Sequence, residues 1–482
     1  MYMLFLKALA SHSKRYLLKG INKQTLFVFE RGPVLLVLCL ATAIHCGAQE
    51  TDSTYDAPSM TLDDCVEYSL HHQPAINQSR LNISVAHTNN AINLSGWLPQ
   101  VNVSGNLLHY GQLPTSFISS QDSTGNRVPV QSHTGFSNTF IPQLSASQTI
   151  FNPQLLYAAH AAPLFVRQAQ QIRDSTKIGA IANVSKAFYS LLQTLEQIKV
   201  LKEDTARLDR NVTDTYHQYV GGIVDETDYD EAVITLNNSK GQLTQQLENV
   251  IPQYATLKQL MGFPSEKEFN VYFDTAQMIQ EISYDTTEAL EYQKRIEYQM
   301  VQTSFQLQHS VTTYYGLSFL PTVSAIYNYY HEFESNSGSS LFNTAYPYSY
   351  IGLTFSLPIF TGFSRLENIH KSKLQEEIID WDRVALKSQI YTQYTTALAN
   401  YKSNFYNWRM MADNEVKAKN VYRIVSLQYK QGIVAYLNMI VAESNLISAE
   451  IGYNNALFQL LSSKIDLEKA MGNIPANNSV MH

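Results

Sequence analysis

Cysteine is nearly absent. The 482 residues hold three, and two of them, Cys39 and Cys46, fall in an amino-terminal segment read below as a cleaved signal. Cys65 is then alone, so the mature chain has no internal disulfide. Long apolar runs are missing too: nothing after residue 48 approaches the roughly 18 consecutive apolar residues of a membrane-spanning helix. Contact with a bilayer would have to come through strands, a lipid anchor or a partner. Charge is sparse, at 16% of residues. The signatures of chemistry are also lacking, with no HExxH, GxSxG, phosphate-binding GxxxxGK or GxGxxG after a strand. The histidines are scattered, and adjacent His71 and His72 lie on different sides of a helix and make no metal pair. Asp63-Asp64 is explained by helix capping rather than acid–base work. No catalytic residue, metal or cofactor is expected, and the chain is not read as an enzyme.

What is abundant is tyrosine, with 31 copies in a chain that is 45% hydrophobic. Aromatic surplus with modest charge fits a membrane interface as well as a large core. The amino end reads as an export signal: a basic stretch from Lys7 to Arg31, an apolar run Val34 to Ile44, and small residues Gly47-Ala48, with cleavage expected after Ala48. Its removal takes away six basic residues and one acid, moving the formal net charge from -7 to -12. An acidic exported chain argues against nucleic acid as partner.

The chain says one phrase twice. Gln218-Tyr219-Val220-Gly221-Gly222-Ile223-Val224 returns 210 positions later as Gln428-Tyr429-Lys430-Gln431-Gly432-Ile433-Val434. The same offset joins Asp228 to Asn438, Ala232 to Ala442, and Met261-Gly262 to Met471-Gly472. The mature protein is therefore two copies of one module. Each reads as helix, strand, loop, strand, very long helix, turn, long helix. Thr61-Leu62-Asp63-Asp64 marks a helix start. Leu98-Pro99 and Leu320-Pro321 end helices, because a proline ring clashes with a preceding carbonyl.

Four strands are expected, near Val101 to Tyr110, Leu144 to Phe151, Val323 to Phe333, and Ile351 to Ile359. The last alternates most cleanly, with apolar Ile351, Leu353, Phe355 and Leu357 against Gly352, Thr354 and Ser356. Each is about the 9 to 11 residues that cross a bilayer as a tilted strand. Tyr327, Tyr329, Tyr330, Phe333, Tyr346, Tyr348 and Tyr350 crowd the third and fourth as an aromatic girdle would. A soluble hairpin with one buried face fits the same pattern. Gln112 to Asn138 and Ser335 to Ala345 have loop compositions.

From Pro153 to about Tyr219 a heptad seam runs through Ile181, Val184, Phe188, Leu191, Leu195 and Ile198, then slips to Leu201, Leu208 and Val212. Return helices are expected over Thr227 to Met261 and Leu437 to Met471. At Gly222 and Gly432 each long helix must stop and reverse. Thr227 with Asp230 suggests a capping box for the first return helix, and Asn438 a cap for the second. The turn itself does not need Ile-Val. Those residues are either a contact surface for another protein or a cover for the hairpin's own end. Asp225, Glu226, Asp228, Asp230 and Glu231 suit a helix amino terminus, and also the lining of an opening.

Together the duplicated Tyr-x-x-Gly-Ile-Val turn, the Leu-Pro breaks, Leu357-Pro358-Ile359-Phe360-Thr361-Gly362 and the Met-Gly ending each repeat resemble the TolC-like outer-membrane efflux proteins, over about residues 61 to 472. The resemblance implies a mixed, mainly helical fold. Four β-strands per protomer would form a trimeric twelve-stranded outer-membrane β-barrel, continued by a long coiled-coil α-helical periplasmic barrel. It implies a signal peptide at 1–48, efflux repeats at 49–265 and 286–472, a linker at 266–285 and a tail at 473–482. The partners implied are two further copies in a homotrimer, outer-membrane lipid, a periplasmic adaptor and an inner-membrane pump. The expected function is a passive exit duct for small molecules in the outer membrane of a Gram-negative bacterium. A type I protein secretion outlet, or a non-transporting periplasmic coiled-coil structural protein, are the alternatives. Gly222, Ile223, Val224, Gly432, Ile433 and Val434 would be adaptor-contacting tips, and Tyr219, Asp228, Glu231, Tyr429 and Asn438 would lie at the periplasmic entrance. Relatives carry acids just beyond the second tip, facing the entrance, where this chain has Asn438 and Val441, so a ring of carboxylates is not expected there and the first-repeat acids Asp228 and Glu231 are the candidates to substitute for it.

Overall fold

A computed structural model describes residues 58–121, 125–274, 278–280 and 282–475. The expected signal and all but the start of the 473–482 tail lie outside them. After β1 (Ser59–Met60), the Thr61 hydroxyl accepts from the Asp64 amide, and an Asp64 carboxylate oxygen accepts from the Thr61 amide at 2.9 Å. This reciprocal cap starts α1 (Leu62–His72). Pro74 opens α2 (Pro74–Leu94), at the position where a missing amide costs nothing. The chain turns extended at Leu98, as its following proline requires.

β2 (Gln100–His109), β5 (Asn138–Phe151), β7 (Thr322–Ser335) and β8 (Ala345–Ser356) make one antiparallel sheet in the order β2-β5-β7-β8. Between β2 and β5, β3 (Thr115–Gln121) and β4 (Arg127–His133) form a separate hairpin. Segment 112–138, expected as loop, thus holds a second sheet. The register sorts the four strands into two unlike faces, because residues directly opposite share a face. Val101 and Val103 pair with Ala146 and Leu144; Leu144 and Ala146 pair with Tyr329 and Tyr327; Tyr327 pairs with Ile351. This face is apolar, and it is open: Val103, Ile351 and Leu353 are 79%, 82% and 73% exposed. The other face carries Asn102, Ser104, Gln143, Ser145 and Asn328, with a hydrogen bond of 2.8 Å from Gln143 to Asn328.

The register also corrects the expected aromatic girdle. Tyr327, Tyr329 and Phe333 lie on the apolar face, but Tyr330, Tyr346, Tyr348 and Tyr350 fall on the polar one, where Tyr330 and Tyr348 stack at 4.7 Å. Composition crowds aromatics into a segment. Only the strand period separates them.

Two helical hairpins hang from this sheet. α3 (Pro153–Val220, 68 residues) returns as α4 (Glu226–Met261, 36 residues), and α6 (Ser364–Lys430, 67 residues) as α7 (Tyr436–Met471, 36 residues). At 1.5 Å per residue the long helices are each about 100 Å. Their upper halves pack with α2 and with α5 (Ile296–Leu317), shown by Asn90 donating to the Ala162 carbonyl and Gln171 to that of Gln299. The lower halves pack with the return helices. At mid-height Phe188, Leu191 and Leu192 meet Leu257, Met261, Leu457, Leu460 and Leu461 in one core. Residues 266–285, expected as a linker, add Phe269, Met278 and Ile282 to that core, and β6 (Asn270–Val271) pairs in parallel with β1. Among the described residues no helix is long and apolar enough to cross a membrane.

Candidate functional site: the hairpin tips

Both reversals are built alike. Where α3 ends, the Ile223 amide donates to the Gln218 carbonyl at 2.8 Å and Gly222 takes a left-handed φ of 71°. Where α6 ends, Ile433 donates to Gln428 at 2.9 Å and Gly432 takes φ 72°. The bond satisfies a terminal helix carbonyl, and the left-handed residue after the helix favours glycine. The preceding position has φ -77° at Gly221 and -93° at Gln431, which explains why only the second glycine recurs.

The repeated Ile-Val divides its labour. Ile223 and Ile433 are 76% and 65% exposed, whereas Val224 and Val434 are half-buried. The return helices begin one residue earlier than expected, after Asp225 and Ala435, and neither start has a side-chain cap. The Thr227–Asp230 box does not form. Asn438 lies inside the first turn of α7, its amide bonded to the Ala435 carbonyl. At the first tip, Glu226 and Asp228 in the opening turn of α4 offset the missing cap through the helix dipole.

The two tips are joined within one chain. The Tyr429 hydroxyl donates to Gln218 Oε1 at 2.9 Å, and its ring packs 5.5 Å from that of Tyr436. Tyr436, Met439 and Ala232 are buried together, with Val212, Val425 and Ile440 against them. Burial pushes both phenols up, and the carboxylates of Asp228 and Glu231 add to the shifts of Tyr429 and Tyr436 respectively. Asp228, half-buried, and Glu231, exposed, therefore belong to the electrostatic surroundings of this contact. Tyr219 does not join it; it stacks on Tyr229 at 6.2 Å. Asn438 is exposed.

Above the tips is a charged cluster that the sequence reading passed over. Asp204 and Glu443 are each 1% exposed. Arg207 Nη2 donates to Asp204 Oδ1 at 3.3 Å and its Nε to Glu443 Oε1 at 3.4 Å. Asn211 donates to the second Glu443 oxygen at 3.0 Å, and Ser239 to the second Asp204 oxygen at 2.7 Å. The Tyr422 ring lies 5.8 Å from the guanidinium. Helices α3, α4, α6 and α7 all contribute. Burial, then the charge of Asp204, pushes Glu443 up to about 7, against the opposing pull of Arg207 and Asn211. Burial also raises Asp204, against the Ser239 hydrogen bond and Arg207. The signal was there: Asp204 fills the seam position that the step from Leu201 to Leu208 skips.

Cys65 is fully buried, and burial followed by the charge of Asp64 pushes its thiol up to about 12, so it stays protonated and unreactive. Among the described residues no group of three or more His, Cys, Asp or Glu side chains is placed to hold a metal.

The sequence profile of the outer membrane efflux protein family matches residues 66–263 and 316–473. The chain is 21% identical over 313 residues to the probable efflux pump outer membrane protein TtgC of Pseudomonas putida, covering 63% of this chain and 62% of that protein. It thus spans less than two thirds of that relative. It is 19% identical over 339 residues to the outer membrane protein TolC of Vibrio cholerae, covering 69% of this chain and 76% of the relative. Among solved structures, CusC superposes with a TM-score of 0.69 at 14% identity, covering 86% of this chain and 92% of that one. The CmeC outer membrane channel of Campylobacter jejuni gives 0.66 at 18% identity, covering 85% of each chain. The fold is that of the TolC-like channels, and with most of its length matched by the family profile the chain belongs to the outer membrane efflux protein family.

Proposed function

We propose that three copies of this chain form a passive outer-membrane duct, with the helical hairpins reaching into the periplasm of a Gram-negative cell. A periplasmic adaptor would engage the tips, and an inner-membrane pump would supply the energy for small molecules to leave. The observation that carries this reading is the two-faced sheet. Its apolar face is open from β2 to β8, and among the described residues no further strand pairs with its outer edges. Unpaired strand edges invite further strands, and a sheet that is apolar on one face and polar on the other satisfies lipid outside and water inside once closed. Four strands per chain give twelve in a trimer.

Membrane fractionation followed by sizing in detergent tests the assembly. A trimer in the outer-membrane fraction is expected; a soluble monomer or dimer would leave only a coiled-coil structural protein. The tips are tested separately. With Ile223→Asp and Ile433→Asp combined, two exposed apolar anchors become charged at the surface where an adaptor would close, and efflux of a dye such as Nile red from cells is expected to fall at least about tenfold. The amount of trimer in the outer membrane should not change, because neither side chain is buried in the single chain. Undiminished efflux by the double variant would remove the tips from the docking surface.

A further inference from the structure

The Asp204–Arg207–Glu443 cluster braces the first hairpin through Ser239 and also joins that hairpin to the second. Asp204 and Arg207 lie on α3 and Glu443 on α7, so the bonds through Arg207 and Asn211 cross from the first hairpin to the second. Two buried carboxylates share one guanidinium. With both ionised the site carries a net negative charge out of water, which is costly; with one proton held it is neutral.

We propose that this cluster is a proton-operated latch, holding the hairpins together when one carboxyl is protonated and letting α7 part from α3 when both are charged. The sign follows from linkage. In the packed form Glu443 is raised from 4.5 to about 7, and once α7 parts and the carboxylate is hydrated it returns toward its ordinary value. The latch is fully set below the ordinary value, weakens as pH rises through the interval, and is lost above about 7. Burial raises Asp204 in the same direction.

The other groups facing the cluster do not reverse that sign. The guanidinium groups beside the cluster are those of Arg207 and Arg210, both on α3. The Tyr422 phenol of α6 is raised and neutral, and Lys419 of α6 is held cationic by Glu415. Glu450 of α7 is itself raised by burial, against Lys419. From α4, Lys240 is paired with Asp209 at 3.5 Å, and the group that reaches the cluster is the Ser239 hydroxyl.

The latch can be read in two ways, of which conductance rests on the duct proposed above and hydrogen exchange does not. With the full-length protein in planar lipid bilayers, the open-to-closed ratio is expected to rise with pH between about 5 and about 7, by up to about tenfold per unit, and then to level off. Glu443→Gln, a neutral isostere of the protonated acid, should stay in the low-conductance form across that range. A Glu443→Gln profile that tracks the wild type would overturn the latch. Hydrogen exchange along residues 436–446, corrected for the intrinsic pH dependence of amide exchange, provides the second reading on the unmodified chain. Protection should be higher at pH 5.5 than at pH 8, and equal protection refutes the latch without reference to any variant. Silence in bilayers at every pH, together with pH-dependent protection, would refute the duct and keep the latch.

Discussion

Gly262→Val should leave almost no assembled protein in the outer membrane. Gly262 closes α4 at φ 69°, and a Cβ there would stand 2.7 Å from the His72 carbonyl oxygen and 2.9 Å from its carbon. Both are backbone atoms at the junction of α1 and α2, so no side-chain rotation relieves the contact. The left-handed conformation alone costs a non-glycine residue about 1 to 2 kcal/mol. Displacing packed backbone adds about 1 to 3 kcal/mol, next to Leu257 and Met261 in the shared core. The total is a large share of the roughly 5 to 15 kcal/mol that holds a typical domain folded. Gly222→Ala is the control: its φ is 71°, but nothing lies within 4 Å of the added Cβ, so it should lose only the conformational part and still assemble. Thermal unfolding and outer-membrane abundance of the two variants give the comparison. Equal abundance of Gly262→Val and wild type would show that the α1–α2 junction yields where the packing says it should not. Gly472 repeats the arrangement in the second copy, with a Cβ 3.0 Å from the Lys294 carbonyl carbon, and a smaller effect is expected.

That contrast also marks what the sequence can and cannot show. Two Met-Gly pairs and two Gly-Ile-Val turns are visible as repeats, and both kinds of glycine prove left-handed. That one kind is pressed against distant backbone while the other faces open space depends on which helices meet, and no local pattern encodes that. The long helices, the Leu-Pro breaks and the four strands of the main sheet were legible because each rests on a local period or a local clash. The β3–β4 hairpin was not, since Thr115 to Gln121 holds only Phe117 and Ile118 as apolar residues and its stability comes from pairing with β4. Segment 266–285 read as a linker because its three core residues, Phe269, Met278 and Ile282, follow no period; tertiary packing alone buries them. At the tips, the glycine turns followed from sequence, but the Tyr429–Gln218 bond between the two copies did not, because each belongs to a different repeat.

Arg207→Met is the second change with a large expected effect. Methionine fills much of the arginine stem's volume but removes the cation bonded to both Asp204 and Glu443, leaving two buried carboxyl groups to each other's field. Removing one partner of a buried ion pair costs about 3 to 5 kcal/mol, because a charge is left uncompensated out of water. Here two are left, and the chain's escape is to protonate them. The variant should therefore be most impaired at alkaline pH and recover toward acid, the carboxyls rising further above their ordinary values once Arg207 no longer pulls them down. Adding Glu443→Gln and Asp204→Asn to Arg207→Met removes the buried charge altogether, and the triple variant should regain most of the lost stability and lose the acid dependence. The double-mutant cycle between positions 207 and 443 then reads the coupling directly. If Arg207→Met unfolds at the wild-type temperature at both pH 5.5 and pH 8, the guanidinium is not compensating buried charge, and the cluster must be hydrated enough for each carboxylate to stand alone.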